Sequence, residues 1–189
     1  TGGEVHVPLP LLFTRAQMQH TLQAAGVDTL VTTAPLATRW PTLAWASITI
    51  AGEPLMRARL RSAPVALPPG TAKISFTSGT TGAPKGVCLS GEAMRRVAAG
   101  LVQAMAPLDI QRHLNALPFS VLLENIAGLM APRLHGATVL TLPLRQLGLE
   151  GSSSFDAARF HATVLQQQPH SLILLPQMLR AWCGHLAQS

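Results

Sequence analysis

The chain has 189 residues, 48% hydrophobic and 12% charged, which is enough apolar material for one sizeable core and excludes a disordered polymer. An apolar run long enough to cross a bilayer, about 18 residues, does not occur, because Glu124 interrupts the longest stretch around residues 114–134, so no membrane span is expected. The net charge of +6 comes almost wholly from dispersed arginines, and the one tight group, Arg57, Arg59 and Arg61, has no interleaved aromatics for base stacking, so no nucleic-acid partner is expected.

Cys88 and Cys183 are far apart and form no redox or metal spacing, which fits a reducing cytoplasm. The seven histidines lack the spacing of a metal site, and none is expected. The chain opens Thr1-Gly2-Gly3-Glu4, without a basic start and an apolar stretch, so it is read as lacking a signal peptide and as cut from something longer.

In chain order, Thr14 and Gln17 form a capping box for a first helix, with Phe13 and Met18 at the staple positions and Gly26 as a left-handed stop. Residues 28–33 read as a buried strand, residues 48–50 as a shorter one, and 62–70 as a proline-rich loop. Residues 72–76 then form a strand, and 87–89 a return strand after a glycine-rich loop. Ser90 caps a helix to about Met105 whose apolar face is Met94, Val97, Leu101, Val102 and Met105. A strand at 114–117, a helix at 122–134 stopped by Gly136, and a strand at 137–142 follow. A helix from Asp156 to about Gln167, a strand at 171–175 and a helix from Pro176 complete the pattern. This alternation predicts an α/β fold: a layered partial sheet, largely parallel, with flanking helices.

The loop between the two central strands carries the chemistry. Thr77-Ser78-Gly79-Thr80-Thr81-Gly82-Ala83-Pro84-Lys85-Gly86 concentrates hydroxyls, glycines and one lysine behind an apolar run. Glycines let backbone N–H groups turn inward as a nest for anionic oxygens, the hydroxyls add donors, and Lys85 adds a point charge. A Walker A loop is excluded, because Lys85 is followed by Gly86 and a strand pattern rather than by Ser or Thr and a helix.

This string closely resembles the signature loop of the adenylate-forming (AMP-binding) enzymes, which include the acyl-CoA synthetases. Leu117-Pro118-Phe119, the strand of Gly136 to Leu140, residues 172–182 and residues 5–33 resemble neighbouring segments of that family, so the resemblance covers nearly the whole chain. It implies contact with the β- and γ-phosphates of ATP through Thr77, Ser78, Gly79, Thr80, Thr81, Gly82 and Lys85, with Lys85 catalytic in offsetting charge on departing pyrophosphate. It also implies Mg2+ between the phosphates, a carboxylic acid substrate, and coenzyme A as the co-substrate that takes the acyl group.

Two departures qualify the resemblance. Many members place a histidine where Val121 stands, so an apolar acyl pocket and a fatty or hydrophobic acid are expected; the alternative is that Val121 and Leu122 are simply core. The family's tyrosine-bearing adenine motif cannot be present, since the chain has no tyrosine, and the ribose aspartate motif and the lid lysine are also missing. The expectation is therefore a partial N-terminal domain, with residues 1–70 a leading α/β segment and 71–189 the phosphate loop and following units. The C-terminal lid is absent, the chain alone is inactive, and exposed apolar surface favours a homodimer or contact with the missing remainder. A non-catalytic nucleotide- or polyphosphate-binding module is the alternative reading.

Overall fold

The computed structural model describes residues 3–10, 13–77, 83–150 and 154–188. Helix α1 (Arg15–Ala24) begins where the capping box predicts: Thr14 Oγ1 accepts from the Gln17 N–H at 3.2 Å, and Gln17 Oε1 accepts from the Thr14 N–H at 2.9 Å. Its end needs glycine. Gly26 has φ +60°, its N–H donates to Gln23 O, and the Val27 N–H donates to Leu22 O, the paired closure that satisfies the last carbonyls.

Strands β1 (Thr29–Thr32), β2 (Trp45–Ile50) and β3 (Glu53–Arg59) form an antiparallel sheet in the order β1–β3–β2, with the short helix α2 (Ala34–Ala37) between β1 and β2. The sheet corrects two expectations and adds a strand that the sequence did not announce. Residues 28–33 are not a buried strand: Leu30 is buried, but Val31 is 42% exposed, because β1 is an edge strand with one face to solvent. The second strand is longer than 48–50. The third was hidden by Pro54 and by two arginines, yet Arg57 and Arg59 point outward on either side of Ala58, which is buried. Ala51 and Gly52, with φ of 51° and 84°, make the two-residue turn that suits the twist of a hairpin.

Strands β4 (Thr71–Thr77) and β5 (Lys85–Ser90) form an antiparallel hairpin. On the other edge of β4, the His6 N–H donates to Ala72 O and the Ile74 N–H to His6 O. Strand β4 is thus flanked on both sides and buried from Lys73 to Phe76. Ile74 and Phe76 form a core cluster with Ala25, packed by Val5, Val7, Phe13, Val27 and Leu67. Helix α3 (Gly91–Met105) starts at Ser90, whose Oγ accepts from the Ala93 N–H at 3.1 Å. Met94 and Ala98 are its buried residues, whereas Val97, expected on the inner face, is 53% exposed.

The parallel sheet has the order β10–β6–β7, from β6 (Arg112–Asn115), β7 (Thr138–Thr141) and β10 (Ser171–Leu172). A π-helical segment (Glu124–Met130) and α4 (Ala131–His135) join α3 on one face. Helices α5 (Ala157–Gln167) and α6 (Pro176–Leu186) cover the other, around a core of Leu114, Ala116, Leu147 and Phe160. Trp182 meets Phe160 edge-on at 5.1 Å between centroids. The strand expected at 114–117 is shifted two residues earlier, the one expected at 171–175 is cut to its first two residues, and the expected helix at 122–134 is largely π-helical. The sheet structure is also not largely parallel: β1–β3–β2, β4–β5 and the hairpin of β8 (Leu149–Glu150) and β9 (Ser154–Phe155) are antiparallel. In the hairpins β2–β3, β4–β5 and β8–β9 the short connections allow only that direction, because a parallel pair needs a long crossover. The mixed α/β class stands. Among the described residues no helix is long and apolar enough to cross a membrane.

A side chain on Gly26 would be strained by the positive φ and would place Cβ 3.0 Å from Ala63 O and from Val65 Cγ2. Gly26→Ala is expected to lower stability by about 1–2 kcal/mol in urea titration, and an unchanged midpoint would remove this account of the helix stop.

Candidate phosphate-binding site

The signature loop connects β4 to β5, and the structure fixes both of its ends. Alternation along β4 sends Ile74 and Phe76 to the core cluster, and Lys73, Ser75 and Thr77 to the opposite face. Phe76 is in register with Gly86, and Thr77 with Lys85. The Phe76–Gly86 pair explains the glycine: a Cβ on Gly86 would lie 2.8 Å from Phe76 Cζ and 3.0 Å from Ile74 Cγ2. The ring therefore occupies the space of a missing side chain, and this fit locks the register at the mouth of the loop.

Thr77 and Lys85 follow from that lock. As direct cross-strand partners they project from the same face, and both are exposed. A hydroxyl donor and an ammonium thus flank the loop's entrance side by side. The descending arm is tethered as well: Pro84 is buried, and its carbonyl lies 3.2 Å from Nε2 of His20 on α1, accepting from the Nε2–H tautomer. Ser78, Gly79, Thr80, Thr81 and Gly82 lie outside the described residues. The structure thus brings two of the sequence-derived site residues, Thr77 and Lys85, together.

Lys73 was not singled out from the sequence. It is 5% exposed, and among the described residues its Nζ finds no hydrogen-bond partner. Desolvation by burial lowers its pKa below the ordinary lysine value of 10.5.

A second polar constellation, also missed, lies under the parallel sheet. Glu124 is fully buried, and its Oε1 accepts from Asn115 Nδ2 at 2.7 Å. The same Nδ2 donates to Gly128 O at 3.0 Å, while Asn115 Oδ1 accepts from Thr141 Oγ1 at 3.1 Å. The local cause is in the sequence. The α-helical donor to Gly128 O would be the N–H of residue 132, which is a proline and has none. Asn115 supplies a replacement donor, and Gly128 leaves room for it: a Cβ there would lie 2.8 Å from Asn115 Nδ2 and from Glu124 Oε1. The π-helical turn accommodates this exchange. His113, also buried, has Nδ1 2.8 Å from Ser171 Oγ and Nε2 3.8 Å from Glu124 Oε1. A lone glutamate in an apolar run, with an asparagine in a neighbouring strand, was the available signal. Among the described residues no group of three or more His, Cys, Asp or Glu is placed to hold a metal ion.

The chain matches the AMP-binding enzyme family over residues 2–189. It belongs to that family. Two solved structures are similar to it, both of o-succinylbenzoate CoA synthetase (MenE) from Bacillus subtilis. One holds the acyl-adenylate intermediate OSB-AMP and has 24% identity and a TM-score of 0.45; the other holds AMP and has 23% identity and a TM-score of 0.46. The similarity covers 61% and 62% of this chain but only 27% and 28% of theirs, so the matched part spans less than a third of those proteins. Comparison with curated protein sequences gives no match.

Two expected outcomes test the local account. Gly86→Ala should cost about 1–3 kcal/mol by overpacking against Phe76, and Phe76→Leu in that background should recover part of the loss. Additive losses in the double variant would contradict the fit. For Lys73, the unfolded chain holds the proton more tightly than the folded one, so stability rises with pH between the depressed folded value and 10.5. Lys73→Met should therefore stabilise the protein most near neutral pH, with a gain that shrinks as pH approaches 10.5; a pH-independent gain in urea titrations would contradict the assignment.

Proposed function

We propose that the protein carrying this chain is an ATP-dependent, AMP-forming acid–thiol ligase, an acyl-CoA synthetase. In this reading residues 1–189 are part of the large N-terminal domain, with residues 77–86 as its grip on the phosphates. The observation that supports it most directly is the pairing of Thr77 with Lys85 across the mouth of that loop, in a chain of the AMP-binding family.

The chemistry follows from the charges. A carboxylate oxygen of the acid bonds to the α-phosphorus of ATP, the bond from that phosphorus to the bridging oxygen breaks, and pyrophosphate leaves with the electron pair. The acyl-adenylate then loses AMP as the thiol sulfur of coenzyme A takes the acyl group. Negative charge builds on the β-phosphate in the first step, and Lys85 is the group positioned to offset it. Thr77 donates its hydroxyl to a phosphate oxygen, and Ser78, Gly79, Thr80, Thr81 and Gly82 complete the cradle with hydroxyls and backbone N–H groups. Lys85 and Thr77 share a face set by strand register, so little reorganisation is needed when phosphate enters. Magnesium supplies further charge neutralisation when bound; its acidic ligand is assigned to a part of the protein other than this loop.

The acid is assigned to the hydrophobic class. Val121 and Leu122 are half-buried just after Pro118 and Phe119, and offer no charged group to a polar substrate. A cytoplasmic location accords with two exposed, unpaired cysteines. Self-association through exposed leucines of α6, Leu179 and Leu186, is part of the same reading.

The test is carboxylate-dependent exchange of pyrophosphate into ATP by the whole protein, with a panel of aliphatic and aromatic acids. Lys85→Ala should lower kcat about 10²- to 10³-fold while changing the KM for the acid little. Equal losses in kcat and in acid affinity would argue against a phosphate-specific role.

A further inference from the structure

The sheet of β1, β3 and β2 has one covered face and one open face. Leu30 and Ala58 are buried on the first, and among the described residues α2 is the one helix in extensive contact with these strands. Register assigns the second face. Val31 stands opposite Arg57, and Ile48 opposite Leu55; alternation along the strands adds Ile50 and Arg59 to the same side.

The open side of an antiparallel sheet ordinarily carries the polar half of the alternation. In β2 the order is reversed. Ile48 and Ile50 point outward, whereas Ser47 and Thr49 lie on the covered side. Ile50 is 49% exposed, and Ile48 and Leu55 are half-buried. Arg57 stands among these aliphatic side chains on the central strand, with Arg59 next in the row and exposed Arg61 two residues on.

Aliphatic surface beside a row of guanidiniums fits the surface of an anionic bilayer. Small apolar side chains enter the boundary of the acyl chains, and arginines meet the lipid phosphates. A protein partner fits this face less well, because it would bury the Arg57 guanidinium at the centre of the contact, which is costly unless a carboxylate meets it. At a bilayer the same side chain lays its stem over its apolar neighbours and keeps its head among phosphates and water. The two nearby acids do not cancel the row. Asp28 meets Arg59 in an exposed pair at 3.8 Å, an arrangement worth little, and Glu53 lies at the hairpin end of β3, away from Arg59.

We propose that the open face of β1–β3–β2 is a peripheral docking surface for anionic phospholipid bilayers, held by its aliphatic patch and by Arg57, Arg59 and Arg61. The face lies on other strands than the signature loop, so this proposal and the ligase reading can fail separately.

The test is flotation of the whole protein with phosphatidylcholine vesicles that contain or lack phosphatidylglycerol. Binding should require phosphatidylglycerol and should weaken as salt is raised to about 0.5 M. Arg57→Gln and Arg59→Gln should each lower the affinity about five-fold. Arg145→Gln, at an exposed arginine outside these strands, should leave it unchanged. Ile50→Ser should lower the affinity at low and high salt alike. All four positions are exposed, and an unchanged circular dichroism spectrum separates a lost contact from a lost fold. No binding to anionic vesicles, an equal loss in Arg145→Gln, or full affinity in Ile50→Ser would each overturn the proposal. So would salt-sensitive binding to polyglutamate in preference to vesicles, which would assign the face to an acidic protein.

Discussion

The seating of the Phe76 ring in the space left by Gly86 is the contact on which the geometry at the mouth of the signature loop depends. Strand pairing alone leaves register free to slip, and a slip of one residue would exchange the two faces of β5. A ring too large to fit opposite any side chain removes that freedom. Once it is seated, Thr77 and Lys85 must face each other on the other side of the hairpin. The core beneath the ring is supplied by α1 and the residues after it, through Ala25 and Val27, and α1 also holds the Pro84 carbonyl through His20. The capped first helix therefore acts on the loop from two directions.

The second half of the chain is fastened by different means. Asn115 bonds to three groups in two elements: the carboxyl of Glu124 and the freed carbonyl of Gly128 in the π-helical segment, and the hydroxyl of Thr141 in β7. Pro132 creates the orphan carbonyl, Gly128 makes it reachable, and Asn115 closes it. An apolar residue at Asn115 would strand the Glu124 carboxyl and the Gly128 carbonyl inside. The network ties helix to sheet in a single geometry, a matter of specificity more than of gross stability.

Much of this was legible in the residues. The capping box, the glycine stop, the Ser90 cap and the hairpin around the signature loop rest on short-range chemistry, and each appears in place, while Asp156, read as the first residue of its helix, is the cap just before it. What failed was long-range. Nothing local to Val31 says that β1 lies at a sheet edge, and Pro54 with its nearby arginines looks unlike a central strand until Ala58 is seen to be its inward residue. Of the candidate site, the two strands bracketing the loop were readable, and Thr77 and Lys85 stand side by side at its ends. The supports were not: His20 reaches Pro84 from 64 positions away. The role of Glu124 likewise depends on a partner in another strand.

The two hydrogen bonds of His6 to β4 have a consequence for the whole molecule. Strand β4 is the most deeply buried of the hairpin, and residues around His6 cover what would otherwise be its open edge. If that short segment peels away, a row of unpaired backbone donors and acceptors beside Ile74 and Phe76 is laid bare, the template on which foreign strands add. A few residues with little regular structure of their own thus guard against aggregation the strand that leads into the signature loop.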